Sequence, residues 1–206
     1  LMGFHRLAIN GLDEVSGQPL TIDNITLICN GEIYNYKELF TLIGVLPTTS
    51  SDCEVIIHLY ARYGLEYTLQ LLDGVFAFVL HDLRDDTKPI LHVARDPFGV
   101  RPLYMLRVND ISLDPVVAFA SELKVLHCLS VNDNPLNLNI VHVKPGTYMS
   151  FNKDTSYRVW IQKEYNKFYT FRFITNKLNS NIYDNIYTLL NEAVKKRVIG
   201  TSDRKI

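Results

Sequence analysis

The chain has 206 residues, of which 47% are hydrophobic, 11% aromatic and 21% charged, a composition typical of a globular protein. Its 21 basic and 22 acidic side chains give a formal net charge of −1, which argues against a general nucleic-acid or anionic-membrane binder. No apolar run approaches the roughly 18 residues that span a bilayer. We therefore expect no nucleic-acid partner and no membrane partner.

Short β-rich runs alternate with a few helices along the chain, with no repeating βαβ unit. This order favours antiparallel sheets with helices outside over a doubly wound fold. The predicted strands, in chain order, are 6–9, 25–29, 75–82, 90–94, 103–108, 116–120, 147–151 and 158–162.

Helices are predicted over residues 35–43 and 65–72, and a clearer one runs from Ser51 to Gly64. Ser51-Asp52-Cys53-Glu54 has the capping-box pattern, in which Ser51 bonds the backbone of Glu54 and Glu54 reaches back. The core face of this helix is predicted to be Ile56, Leu59, Tyr60 and Tyr63.

The end of the chain carries a last helix with an apolar stripe that includes Ile186, Leu190 and Val194. Such a stripe needs a partner surface, and no targeting segment precedes the first predicted strand. We therefore interpret the sequence as a piece of a longer protein, cut at both ends. The polar residues 164–181 are predicted to be a linker into that helix.

Cysteine and histidine spacing suggests neither a disulfide framework nor a metal site. Cys29, Cys53 and Cys128 are odd in number and lack Cys-x-x-Cys spacing, which favours a reduced, cytoplasmic compartment and buried thiols. The six histidines are scattered without metal-ligand spacing and are predicted to be structural.

The most informative polar cluster is Asn30-Gly31-Glu32, directly after an apolar run. Asn-Gly at this point is a common signal for a tight hairpin turn. A side-chain amide beside a glycine N–H is equally a pair of donors for an oxyanion, with the missing Cβ leaving room for an acyl substrate. The spacing alone does not separate the two interpretations.

Two charged residues, Arg6 and Asp52, have both a structural and a functional interpretation. Arg6 lies in an apolar strand, where it forms either a structural salt bridge or a bidentate site for a substrate carboxylate. Asp52 is either a simple helix cap or, together with Glu32, an acceptor pair for a substrate ammonium.

Six short motifs together resemble glutamine-hydrolysing asparagine synthetases, over roughly residues 3–150. Each is weak alone, and their order and approximate spacing carry the resemblance. The motifs are His5-Arg6-Leu7-Ala8-Ile9, Asn30-Gly31-Glu32-Ile33-Tyr34-Asn35, Ser51-Asp52-Cys53-Glu54-Val55, Asp73-Gly74-Val75-Phe76-Ala77-Phe78, Arg95-Asp96-Pro97-Phe98-Gly99-Val100-Arg101-Pro102-Leu103 and Ser121-Glu122-Leu123-Lys124.

The resemblance implies an α+β fold, a four-layer α-β-β-α sandwich of two antiparallel sheets of the N-terminal-nucleophile hydrolase type, truncated at its N-terminus. Residues 1–163 would be the class II glutamine amidotransferase domain. Residues 182–206 would be the first helix of a missing synthetase domain of the same chain.

The resemblance also assigns a glutamine pocket. Arg6 would bind the α-carboxylate of glutamine, Glu32 and Asp52 its α-ammonium, and Asn30 with Gly31 would form the oxyanion hole. The pocket would also be lined by residues that follow Arg6, namely Leu7, Ala8, Ile9 and Asn10. Asn10 stands where the family has an apolar residue, which concerns local packing.

The family nucleophile is a cysteine at the mature chain terminus, whose own α-amine acts as the base. It would lie upstream of Leu1, so we expect the chain by itself to be inactive, while its intact parent would be an asparagine synthase. We expect no cofactor in this chain, ATP and Mg²⁺ in the missing domain, and glutamine as ligand; a homodimer is compatible with the resemblance. The alternatives are an inactive interaction module and another class II amidotransferase with a different ammonia acceptor.

Overall fold

The computed structural model describes residues 1–5, 10–108, 117–130, 138–154, 156, 159–171 and 181–199. Two antiparallel sheets with helices on the outside make up this part of the chain, as the α+β prediction requires. Among the described residues, no helix is long and apolar enough to cross a bilayer.

The larger sheet has six strands in the order β1-β2-β3-β4-β8-β9, and the smaller has three in the order β6-β5-β7. The strands are β1 (Leu20–Ile22), β2 (Ile25–Ile33), β3 (Gly74–Asp82), β4 (Ile90–Arg95), β5 (Tyr104–Val108), β6 (Val117–Ala120), β7 (Leu138–His142), β8 (Thr147–Asp154) and β9 (Val159–Lys167).

Five helices accompany the two sheets in the described residues. They are α1 (Tyr36–Ile43), α2 (Glu54–Tyr63), α3 (Leu65–Leu71), α4 (Leu123–Ser130) and α5 (Ile182–Ile199).

The larger sheet is buried on both faces because its central strands are apolar on both sides. One face packs against α1, α2 and α3 through residues such as Leu27, Phe76 and Ile56. The other packs against the smaller sheet through residues such as Val93 and Met105. Helix α4 contacts the smaller sheet in turn. This order of layers matches the predicted sandwich.

Seven of the eight predicted strands are present, with ends that differ by a few residues. The predicted strand 6–9, residue 116 and residue 158 lie outside the described residues. All four predicted helices are present: those over 35–43, 51–64 and 65–72 and the last helix correspond to α1, α2, α3 and α5. Residues 164–167 of the predicted linker continue β9 instead, and residues 172–180 lie outside the described part.

Other details of the prediction are wrong. The capping box does not form, because Glu54 is fully buried and accepts hydrogen bonds from the backbone N–H groups of Thr48 and Thr49. Tyr63, predicted to face the core, is 40% exposed. Of the three cysteines, Cys128 is exposed.

Candidate functional site

The site residues Asn30, Gly31 and Glu32 lie in the last part of β2, paired with β3, so Asn30-Gly31 is not a hairpin turn. Side chains alternate between the two faces of a strand. Asn30 and Glu32 therefore share the face that Ile28 uses to pack against the second core cluster. The side-chain amide of Asn30 has no hydrogen-bond partner among the described residues, which leaves its donors available.

The backbone of β2 places one N–H group of the site at the outer edge of the sheet. In an antiparallel strand, every second N–H points to the same edge. On that edge the N–H of Cys29 is bonded to Gln18 Oε1 at 2.6 Å, and that of Ile33 to Asp52 Oδ2 at 2.7 Å. The N–H of Gly31 lies between them and has no partner within the described part of the chain. It is therefore aimed away from β3, at the site.

Glycine is required at position 31 by the approach of β3. A Cβ added there would lie 2.2 Å from the carbonyl oxygen of Val75 and 2.7 Å from Cα of Phe76. From the sequence, glycine is expected here for a different reason, namely room for a substrate. The structure shows that the missing Cβ makes room for the neighbouring strand β3. The N–H of Gly31, on the opposite edge of β2, is the group that faces the site.

Asp52 closes the far end of this edge, just before α2. Its side chain is 6% exposed, and burial raises the pKa of its carboxyl, although the hydrogen bond from Ile33 N–H opposes this. The nearby charge of Glu32 raises the pKa further, and a hydrogen bond with the side chain of Asn10 lowers it. Two carboxylates in mutual repulsion, one of them desolvated, form a place where a bound ammonium would be stabilised.

Glu32 is paired with Arg101, whose guanidinium nitrogen lies 3.6 Å from Glu32 Oε1. The backbone of Arg101 is held at both ends. Its N–H donates to the fully buried Asp96, and its carbonyl accepts from the buried Arg95 at 2.7 Å. Asp96 also accepts from Gly99 N–H through its backbone carbonyl, which closes a turn over Asp96-Pro97-Phe98-Gly99.

A small cleft lies beside the end of β2. It is lined by residues of the site and by the C-terminal part of α5, namely Asn10, Glu32, Ile33, Tyr34, Tyr36, Lys196 and Arg197.

The structure thus brings together Asn10, Asn30, Gly31, Glu32 and Asp52. The predicted residues Arg6, Leu7, Ala8 and Ile9 lie outside the described residues. Sequence reasoning missed three cations near the site: Arg101, which pairs with Glu32, and Lys196 and Arg197, which line the cleft beside β2. Arg101 stood in a quoted motif, but no spacing rule linked it to Glu32, 69 positions earlier in the sequence.

Comparison with known proteins decides the family. A glutamine amidotransferase domain family matches residues 1–160. The chain belongs to this family. It is 34% identical to human asparagine synthetase (glutamine-hydrolyzing) over 221 residues, covering 99% of this chain and 37% of the human protein.

Two further relatives carry similar names. A protein of Acanthamoeba polyphaga mimivirus, described as a probable asparagine synthetase (glutamine-hydrolyzing), is 35% identical over 222 residues, 100% of this chain and 37% of that protein. Asparagine synthetase (glutamine-hydrolyzing) of Gallus gallus is 45% identical over 112 residues, 52% of this chain and 19% of that protein. The amidotransferase chain thus spans less than two fifths of the length of these relatives.

None of the three cysteines of this amidotransferase domain combines an exposed thiol with a position on β2. Cys29 and Cys53 are buried, and the hydrogen bond between their side chains raises the pKa of Cys53 well above its usual value, with burial adding to this. Cys128 is exposed on α4, away from β2. Among the described residues, no group of three His, Cys, Asp or Glu side chains could hold a metal ion.

A second polar cluster, the buried network, lies toward the other end of β3. Tyr60 donates to Asp82 Oδ2 at 2.7 Å and contacts His92 Nε2 at 3.1 Å, while His92 Nδ1 lies 2.9 Å from the hydroxyl of Ser150. Arg84 pairs with Asp82 and keeps the pKa of that carboxyl at about 2 despite its burial. Burial lowers the pKa of His92 to about 4.

Proposed function

We propose that this chain is the glutaminase part of an ATP-dependent asparagine synthetase, which hydrolyses glutamine and delivers the ammonia to convert aspartate to asparagine. The observation that carries the proposal is the outward N–H of Gly31, between two hydrogen-bonded neighbours on the edge of β2 and next to the amide of Asn30. Family membership and the named relatives support the same reaction.

In this proposal glutamine lies along the outer edge of β2. Its α-ammonium binds between the carboxylates of Glu32 and Asp52, and its α-carboxylate binds Arg6. The amide carbonyl then faces Asn30 and Gly31. The residues from Leu7 to Asn10 line the same pocket, and the hydrogen bond between Asn10 and Asp52 supports this arrangement.

The proposed reaction starts with attack of a cysteine thiolate on the amide carbon of glutamine. The carbonyl oxygen becomes an oxyanion, which the Asn30 amide and the Gly31 N–H stabilise; removing one such donor typically costs 10²–10³ in rate. The terminal α-amine, which took the proton of the thiol, passes it to the leaving nitrogen, and collapse of the intermediate releases ammonia and leaves a thioester. Water then hydrolyses the thioester, which gives glutamate and returns the cysteine thiol. The nucleophile belongs to a mature chain terminus in this proposal, because Cys29 and Cys53 are buried and Cys128 lies on α4, against the smaller sheet.

The synthetase part would use ATP and Mg²⁺ to activate aspartate. The glutamine-hydrolysing steps above are proposed to use side chains and backbone groups of the amidotransferase part. A cytoplasmic location and a homodimer belong to the same proposal.

The proposal is tested in the intact parent enzyme by replacing Arg6 and Asp52 separately with alanine. Glutamine-dependent asparagine synthesis should fall at least tenfold, because each variant loses a charge-assisted contact with the amino acid. Synthesis from added ammonia should be unchanged. An equal loss of ammonia-dependent synthesis would place the assigned pocket elsewhere.

A further inference from the structure

The C-terminal part of α5 contacts the two segments that frame the candidate site. Lys196 Nζ lies 2.6 Å from Asp73 Oδ2, and the guanidinium of Arg197 lies 5.0 Å from the ring centre of Tyr34, within range of a cation–π interaction. Tyr34 follows the site strand β2, and Asp73 directly precedes β3. Two adjacent residues of one helix therefore hold the ends of two paired strands.

Those two strand ends are already joined to each other. The N–H of Tyr34 donates to the carbonyl of Asp73 at 2.8 Å, and the N–H of Asp73 donates to Asn35 Oδ1 at 3.0 Å. The side-chain amide of Asn35 also donates to the carbonyl of Leu71. We call this set of bonds the strand-end junction. Glu32 is two residues from it along β2, so its carboxylate follows any movement of the junction.

The cations of α5 also line the cleft that Glu32 and Asn10 share. The rest of α5 is largely exposed where its side chains are described, with Leu189 at 65% and Val194 at 58%. Its contacts with the junction are thus made from an otherwise weakly packed helix. The Lys196–Asp73 pair is exposed, and Arg197 contacts the half-buried Tyr34 from the solvent side; such surface contacts are individually weak. Their effect is expected on the geometry of the site and not on global stability.

We propose that Lys196 and Arg197 are positioning residues for glutamine, which hold the strand-end junction so that Glu32 stays in place to receive the ammonium. This inference rests on the proposed function. It differs from a direct electrostatic role because Lys196 acts through Asp73 and Arg197 through Tyr34.

The test uses the 206-residue chain with Lys196 and Arg197 both replaced by alanine, and Lys195→Ala as the matched control on the same helix. Amide exchange at Tyr34 and Asp73 is followed by NMR, and glutamine binding by isothermal titration calorimetry. In the double variant both amides should exchange faster, and glutamine should bind about fivefold more weakly, as expected for the loss of two exposed contacts. The control should match the wild type in both measurements.

A charge exchange separates positioning from direct attraction. Lys196→Asp alone should weaken glutamine binding and speed exchange, and adding Asp73→Lys should restore both to within about twofold, because the pair is re-formed with opposite polarity. The proposal is wrong if the charge-swapped pair, Lys196→Asp with Asp73→Lys, does not restore glutamine binding. It is also wrong if the amide hydrogens of Tyr34 and Asp73 exchange at the wild-type rate when Lys196 and Arg197 are both replaced by alanine. A wild-type chain that takes up no glutamine would overturn the proposed function, whereas the exchange data would still decide whether α5 holds the junction.

Discussion

The two polar clusters of this domain lie toward opposite ends of the same strand, β3, and use their hydrogen-bonding groups differently. In the buried network, Tyr60, Asp82 and His92 are each bonded to partners within the protein. In the candidate site, the N–H of Gly31 and the side-chain amide of Asn30 have no partner among the described residues. The contrast suggests that the network stabilises the fold, while the site keeps binding capacity for a ligand.

The charges of the two clusters differ in the same way. Asp82 has a paired arginine, and its pKa falls to about 2. Asp52 is buried beside another carboxylate, and its pKa rises. Only the second arrangement gains from binding a cation, so the direction of the pKa shift distinguishes a satisfied carboxylate from a receptive one.

The largest expected effect on stability is at Gly31, which is part of the candidate site and also packs against the backbone of β3. Gly31→Ala places a Cβ against the backbone of β3 and should lower the free energy of unfolding by about 3 kcal/mol. Urea unfolding checks this. Gly3→Ala, where a Cβ meets nothing within 4 Å, is the control and should change stability little.

The buried network should make stability depend on pH. Because burial lowers the pKa of His92 from 6.5 to about 4, the unfolded chain binds a proton between these values and the folded chain does not. Stability should therefore decrease as the pH falls from 6.5 to 4, by roughly 3 kcal/mol from this group.

The slope of the free energy of unfolding against pH is measured by urea unfolding at several pH values. His92→Gln should flatten it, and the exposed His127→Gln should leave it unchanged. A variant at position 92 with the wild-type slope would assign the pH dependence to other groups. Asp82 acts at lower pH, since the stability from its lowered pKa is lost only between about 4 and 2.

Tyr60→Phe should have a smaller effect on stability. It removes the hydroxyl that donates to Asp82 and contacts His92, which leaves buried groups without a partner and should cost about 1–2 kcal/mol. Thermal unfolding measures it. Tyr63→Phe, on the same helix and 40% exposed, is the matched control, and an equal loss there would argue against the network as a source of stability.

Asp52→Asn should have the smallest effect on stability and a large effect on binding. Asparagine keeps an acceptor for the N–H of Ile33, so unfolding should change by less than about 0.5 kcal/mol. Glutamine should bind at least tenfold more weakly, because the negative charge is lost. In the wild type, affinity should decrease as the pH falls through the raised pKa of Asp52.

Calorimetric titration follows this binding, with the exposed Glu66→Gln as the control. If Asp52→Asn kept full affinity, Asp52 would not be part of the ammonium site.

Most of the fold was predictable because its strands are continuous apolar runs bounded by turn residues. Two elements with weak patterns were missed, the short β1 and β7. A sequence signal for β1 existed, because Asp23-Asn24 lies between two short segments of alternating apolar and polar residues, 20–22 and 25–27. In the structure both residues adopt positive φ values, 48° and 62°, as a two-residue hairpin requires. Helix α4, with the buried Leu126, was also missed.

The site was less predictable than the fold, because its geometry depends on residues far apart in sequence. Motifs indicated Glu32 and Asp52, but not that Asp52 bonds the backbone of Ile33. Similarly, the partners of the buried network are separated by 22, 32 and 58 positions, and single-sequence patterns do not link such residues.

The double anchoring of Arg101 has a consequence for how this protein tolerates changes in length. Since Asp96 fixes its N–H and Arg95 its carbonyl, a residue inserted between positions 96 and 101 would have to displace one of two buried charged side chains. The exposed turn between β3 and β4, at residues 85–88, is instead closed by bonds among its own residues, from Thr87 and Lys88 to Asp85. Peptide tags or fluorescent labels belong in that turn. In the segment 96–101, by contrast, adding a single residue would shift Arg101, the cation that faces Glu32.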